Sequence, residues 1–113
     1  MTPIACDLSA LDRAEQIRRA ELARQVVSRS AATVETADGF ALRFDDDAAL
    51  MRNALEWIGL ERRCCPFLRF ELAFEPDGGP LWLRLGGAAG VKEFLAANGL
   101  AVSAPAREAC GCC

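Results

Sequence analysis

Two stretches of the chain alternate apolar and polar residues with the period of a half-buried strand. Leu68, Phe70, Leu72 and Phe74 alternate with Arg69, Glu71, Ala73 and Glu75, and Leu81, Leu83 and Leu85 alternate with Trp82, Arg84 and Gly86. Between them lies Pro76-Asp77-Gly78-Gly79, a four-residue turn that sets the phenylalanines and leucines on one face, as a shared core requires. An earlier pair, Thr33–Thr36 and Phe40–Phe44, predicts a second hairpin around Ala37-Asp38-Gly39. A three-residue loop there brings Val34 and Thr36 to the face of Phe40, Leu42 and Phe44, with Gly39 in the left-handed conformation.

Helical spacing takes over elsewhere. Leu50, Met51, Ala54, Leu55 and Ile58 form one stripe, predicting a helix over Asp46–Cys64 with Asp45 or Asp46 as its cap. The same spacing reaches Glu61 and Cys65, and Pro66 ends the helix by disfavouring the helical conformation at Cys65. Ser9, with Asp12 three residues later, predicts the capped start of an earlier helix running to about Ser28. Its apolar face is thin, since Glu15 and Arg18 interrupt the stripe of Leu11, Leu22 and Val26, so it is expected on the surface. Val91, Phe94 and Leu95 predict a last short helix closed by Asn98-Gly99. The order α-ββ-α-ββ-α predicts an α+β fold. Its four-stranded, mostly antiparallel sheet has helices 46–64 and 91–98 on its apolar face. Residues 1–99 form one domain in this reading, and residues 100–113, without periodicity, form a flexible cysteine-rich tail.

Composition narrows the chemistry. The 113 residues are 52% hydrophobic and 26% charged with a net charge of −3, which suits one globular domain. No apolar run approaches the roughly 20 residues of a membrane span, and no signal-peptide pattern is present, so a cytoplasmic protein is expected. Arg13, Arg18, Arg19, Arg24 and Arg29 are interleaved with Asp12, Glu15 and Glu21, the pattern of a salt-bridged solvated surface and not of a nucleic-acid face. Histidine and tyrosine are absent from the sequence. Any chemistry must therefore run on thiols and carboxylates.

The thiols are clustered at Cys6, Cys64, Cys65, Cys110, Cys112 and Cys113. A secreted disulfide scaffold spaces its cysteines along the chain, so this clustering predicts reduced thiols that bind metal or exchange electrons. Cys64 and Cys65, with α-carbons about 3.8 Å apart, are poor disulfide partners for each other. Cys6 is the third donor available outside the tail, and Glu61 lies one turn before the pair. Three thiolates suit As(III), Hg(II) or Cu(I) better than Zn(II), which asks for four ligands. Arg62 and Arg63 are placed to lower the thiol pKa values, while the negative end of the helix dipole opposes them. Against this stands packing alone: cysteine is a common small core residue, and Cys65 continues an apolar stripe.

The runs Glu61-Arg62-Arg63-Cys64-Cys65-Pro66-Phe67-Leu68-Arg69-Phe70, Gly79-Pro80-Leu81-Trp82-Leu83-Arg84-Leu85 and Gly90-Val91-Lys92-Glu93-Phe94-Leu95 resemble a family of small bacterial proteins. That resemblance implies an association with mercury and arsenic resistance. Cys112-Cys113 is similar to the C-terminal vicinal pair with which mercuric reductases pass Hg(II) inward. The leading reading is a thiolate protein that binds a soft metal or metalloid ion at Cys6, Cys64 and Cys65. Cys110, Cys112 and Cys113 act as its mobile collector, and a metal-handling protein is a candidate recipient. No step in that scheme needs a catalytic base. A rival reading is a thiol enzyme, for thiol–disulfide exchange or organomercurial cleavage with Glu61 as acid. A plain interaction module is the third, and the oligomeric state stays open, a homodimer included.

Overall fold

The structure, a computed structural model, describes residues 5–100. Its elements follow the expected order. After a 3-10 turn at Leu8–Ala10 come α1 (Arg13–Arg29), β1 (Ala32–Glu35), β2 (Gly39–Phe44), α2 (Ala48–Cys64), β3 (Arg69–Phe74), β4 (Leu81–Gly86) and α3 (Val91–Ala97). The four strands form one antiparallel sheet in the order β1-β2-β4-β3, so the two hairpins meet along β2 and β4. The core-facing side carries Phe40, Leu42 and Phe44 against Leu81, Leu83 and Leu85, with Phe70 and Leu72 packed against them.

The second hairpin has the expected register. Phe74 pairs with Leu81, Leu72 with Leu83 and Phe70 with Leu85. Asp77 and Gly78 both take positive φ, the conformation a tight reversal requires. In the first hairpin the register is one residue from expectation. Glu35 pairs with Phe40 and Thr33 with Leu42, so Thr33 is buried on the core face while Val34 is 45% exposed on the other. A one-residue slip exchanges the two faces of a strand. The cause is a tighter loop: Thr36 N–H donates to Gly39 O at 2.9 Å, leaving only Ala37 and Asp38 between them. Gly39 is not left-handed. It is required for space, because a Cβ there would stand 1.8 Å from Leu85 O.

Helix α1 starts and packs differently from expectation. Its cap is Asp12, not Ser9, and Asp12 and Glu15 complete a reciprocal capping box. Leu22 and Val26 are fully buried, so α1 is a core helix and not a surface one. Two of its arginines tie it to α2 by ion pairs, Arg18 with Glu56 at 2.9 Å and Arg29 with Asp47 at 2.7 Å. Asp47, one residue beyond the two expected caps, accepts from Ala49 and Leu50 N–H to begin α2. On α2, Leu50, Ala54 and Trp57 are buried while Leu55 is exposed, so the buried face is turned toward Trp57. At the far end Leu100, the first residue of the expected tail, is buried in the core. No described helix is long and apolar enough to cross a membrane.

Candidate metal centre

The C-terminal end of α2 carries the chemistry, and its geometry follows from Pro66. Cys64 is the last helical residue, and Cys65, at φ −128° and ψ 67°, has left the helix. That departure swings the Cys65 side chain round, so that its Sγ lies 3.6 Å from Cys64 Sγ instead of a third of a turn away. Both residues have no exposed surface. They form a small cluster of their own with Leu11, against which Cys6, Leu60, Phe67 and Leu68 pack.

The N-terminal lead-in is tied to this helix end by its backbone. Asp7 N–H donates to Cys64 O at 2.7 Å, satisfying one of the carbonyls that a helix C-terminus leaves unpaired. Asp7 in turn caps the Leu8–Ala10 turn, which delivers Leu11 onto the cysteines. Arg63 reaches back to Glu15 at 2.6 Å and to Ala10 O at 3.0 Å, clamping the same segment. Cys6 is thereby held next to the vicinal pair.

Sulfur and carboxylate converge there. The ligand atoms of Cys6, Glu61, Cys64 and Cys65 all lie within 4.8 Å of one another. Cys6 and Cys65 are joined as a disulfide with α-carbons 4.6 Å apart, and Cys64 is the free thiol beside it. This corrects the expectation of three reduced thiols, although the three sulfurs meet as that expectation required. Cys64 and Cys65 are not bonded to each other, in keeping with their adjacency. Cys110, Cys112 and Cys113 lie outside the described residues.

Glu61 is 3% exposed, directly beneath the sulfurs. Burial raises its carboxyl pKa, against the Arg19 guanidinium, whose Nε lies 2.8 Å from Glu61 Oε2. The Nε–H itself is not directed for a hydrogen bond, so the contact is one of charge more than of alignment. Arg19 also donates from Nη2 to Cys6 Sγ at 3.9 Å. The Cys64 thiol is pushed up by burial and then by the nearby Glu61, with Arg19 pulling the other way. The cation that bears most directly on the thiols is thus Arg19 of α1, with Arg63 adding a smaller charge interaction with Cys64. The spacing that would have revealed it lies in the sequence, since Arg19 precedes the buried Leu22 and Val26 by three and seven residues.

Four donors gathered at a buried point, three of them sulfur, suit a soft ion once the disulfide is opened. Comparison with protein-family models, with curated proteins and with solved structures finds no match to this chain.

Proposed function

We propose that the chain binds one soft metal or metalloid ion, As(III), Hg(II) or Cu(I), on the thiolates of Cys6, Cys64 and Cys65. Supporting it is a single observation: three sulfurs and one carboxylate, from the lead-in and the end of α2, lie within 4.8 Å of one another. In the oxidised form two of the sulfurs are committed to each other. A dithiol must first reduce that bond, giving up two electrons and two protons and becoming a disulfide itself. Three thiols then face one point, and an ion that binds all three displaces their three protons. Arg19 offsets the negative charge that gathers on the sulfurs, and Glu61 supplies a fourth donor or holds Arg19 in place. Cys110, Cys112 and Cys113 would collect the ion and pass it inward by thiol exchange, with a metal-handling protein as supplier or recipient. Resistance to mercury or arsenic is the role such a protein would serve in the cytoplasm of a bacterium.

The test is native mass spectrometry of the full-length protein, purified under thiol reductant and then exposed to As(III) or Hg(II). One ion should be retained by a chain carrying Cys110→Ser, Cys112→Ser and Cys113→Ser, and lost when Cys6→Ser is added. Retention without Cys6 would remove the trigonal site.

One observation favours a thiol enzyme instead: a disulfide lies beside a third thiol, Cys64, with Sγ atoms 3.6 Å apart. A substrate dithiol would open the Cys6–Cys65 bond and leave oxidised. Only repeated turnover of a disulfide or an organomercurial would establish this reading, and stoichiometric consumption would end it. The raised Cys64 pKa counts against it, because thiol exchange needs the thiolate.

A further inference from the structure

Strand β3 closes one side of the sheet, and among the described residues its only strand neighbour is β4. Glu75 N–H donates to Pro80 O at 3.1 Å, directly across the hairpin. In an antiparallel ladder such hydrogen-bonded pairs alternate with non-bonded ones, so every second residue turns its peptide groups outward. Counting from Glu75, the outward residues are Phe70, Leu72 and Phe74. Arg69–Phe74 contains neither lysine nor proline, and its two charges, on Arg69 and Glu71, are of opposite sign. The apolar surface beside it is open as well. Phe74 is 60% and Leu55 56% exposed, and Leu55, Ile58, Leu68, Phe70 and Leu72 line a groove between α2 and the strand that Arg62 and Arg69 edge.

We propose that this edge pairs with the β3 edge of a second copy of the chain, antiparallel and two-fold about Leu72, to give one continuous eight-stranded sheet from two four-stranded ones. The sequence of the strand selects both the occupant and the register. With Leu72 opposite Leu72, Phe70 of each copy meets Phe74 of the other, so outward peptide groups pair with outward peptide groups. Arg69, whose guanidinium also pairs with Asp38 of its own chain at 2.7 Å, then stands opposite Glu75, twice by symmetry. Shifting the axis to Glu71 sets Glu71 against Glu71, and shifting it to Ala73 sets Glu71 against Glu75. Like charges directly opposite are destabilising. Axes further out bring Pro66 or Pro76, which have no N–H, into the paired segment. The Leu72 axis also lays the exposed Phe74 of each copy beside Phe70 in the groove of the other, covering the side chains that the monomer leaves open. A strand that is self-complementary in charge, hydrogen bonding and shape fits its own copy. The inference is independent of the thiol site.

Sedimentation of the full-length protein tests it, in excess thiol reductant and chelator so that intermolecular disulfides and metal bridges contribute nothing. A concentration-dependent dimer is expected at micromolar concentrations, with Phe74→Lys leaving a folded monomer. Glu75→Arg should weaken the dimer about ten-fold, because two facing pairs turn from attraction to repulsion, and adding Arg69→Glu together with Asp38→Asn, which removes the partner of Arg69 within its own chain, should recover it. Amide exchange supplies the register: Phe70, Leu72 and Phe74 N–H should become protected as concentration rises. A protein that stays monomeric overturns the proposal. So does a dimer that is indifferent to both Phe74→Lys and Glu75→Arg, or one in which those amides exchange as freely as in dilute protein.

Discussion

Phe44, Leu42 and Leu83 in the main core and Cys64 and Cys65 at the end of α2 are equally shut off from water, all without exposed surface. Their surroundings differ. The first three touch carbon on every side, in a cluster built from all three helices and the sheet. The cysteines sit among a disulfide, a carboxylate and a guanidinium. Packing explains the first arrangement fully. It does not explain the second, because a buried carboxylate and its partner charge are commonly replaced by aliphatic side chains at no loss of stability. The second cluster thus joins a disulfide, which holds the lead-in to the helix end, with donor groups that could hold a metal ion.

The comparison breaks most visibly if the two regions respond alike to truncation and to reductant. Phe44→Ala should cost about 3–5 kcal/mol in denaturant unfolding, and the same amount in oxidised and reduced protein. Reducing the Cys6–Cys65 bond, which links residues 59 apart, should lower stability by up to about 4 kcal/mol on the chain-entropy account. If reduction leaves the unfolding midpoint unchanged, the lead-in is held by Asp7, Leu11 and the Arg63 clamp on Ala10 without help from the disulfide.

Next in size comes the ion pair. Arg19→Met should cost about 1–3 kcal/mol near neutral pH, because Glu61 then loses the charge that opposes its burial. The loss should shrink in acid. Burial raises the folded pKa of Glu61, so the folded state binds its proton more tightly than the unfolded chain does. Its effect on stability is therefore most favourable below the unfolded carboxyl value and fades as pH rises through the folded one. Unfolding of the variant across pH 4–8 measures this, and a pH-independent loss would mean that Arg19 acts by packing alone.

The smallest effect is kinetic. Alkylation of Cys64 in the oxidised protein should be slower than that of an ordinary free thiol, and should accelerate only at pH values above the usual thiol range. Iodoacetamide labelling followed by mass spectrometry reads it. Fast labelling at neutral pH would show that the cluster opens to solvent.

What the sequence makes legible follows the strength of local signals. The second hairpin could be read because Pro76-Asp77-Gly78-Gly79 fixes the loop length while a large apolar residue recurs at every second position from Phe70 to Phe74 and from Leu81 to Leu85. The first could not, because Thr33-Val34-Glu35-Thr36 offers only one strongly apolar residue, and placing Val34 inward was the choice that hydrophobicity favours. As an outer strand, β1 instead turns Val34 out and seats Glu35 beside Lys92. The meeting of Cys6 with Cys64 and Cys65 was legible by elimination, there being no other thiol outside the tail. Its oxidation was not, since that rests on a contact between residues 59 apart and no local pattern encodes it. Arg19 escaped because it belongs to a run of arginines of which Arg13, Arg24 and Arg29 are exposed, and only its phase relative to Leu22 and Val26 sets it apart.

The central claim is most directly tested by calorimetric titration of the reduced full-length chain, carrying Cys110→Ser, Cys112→Ser and Cys113→Ser, with As(III). The account predicts tight binding of one ion per chain, abolished by Cys64→Ser with Cys65→Ser while the fold by circular dichroism is unchanged. Equal affinity in the two proteins, or no binding in either, would contradict it.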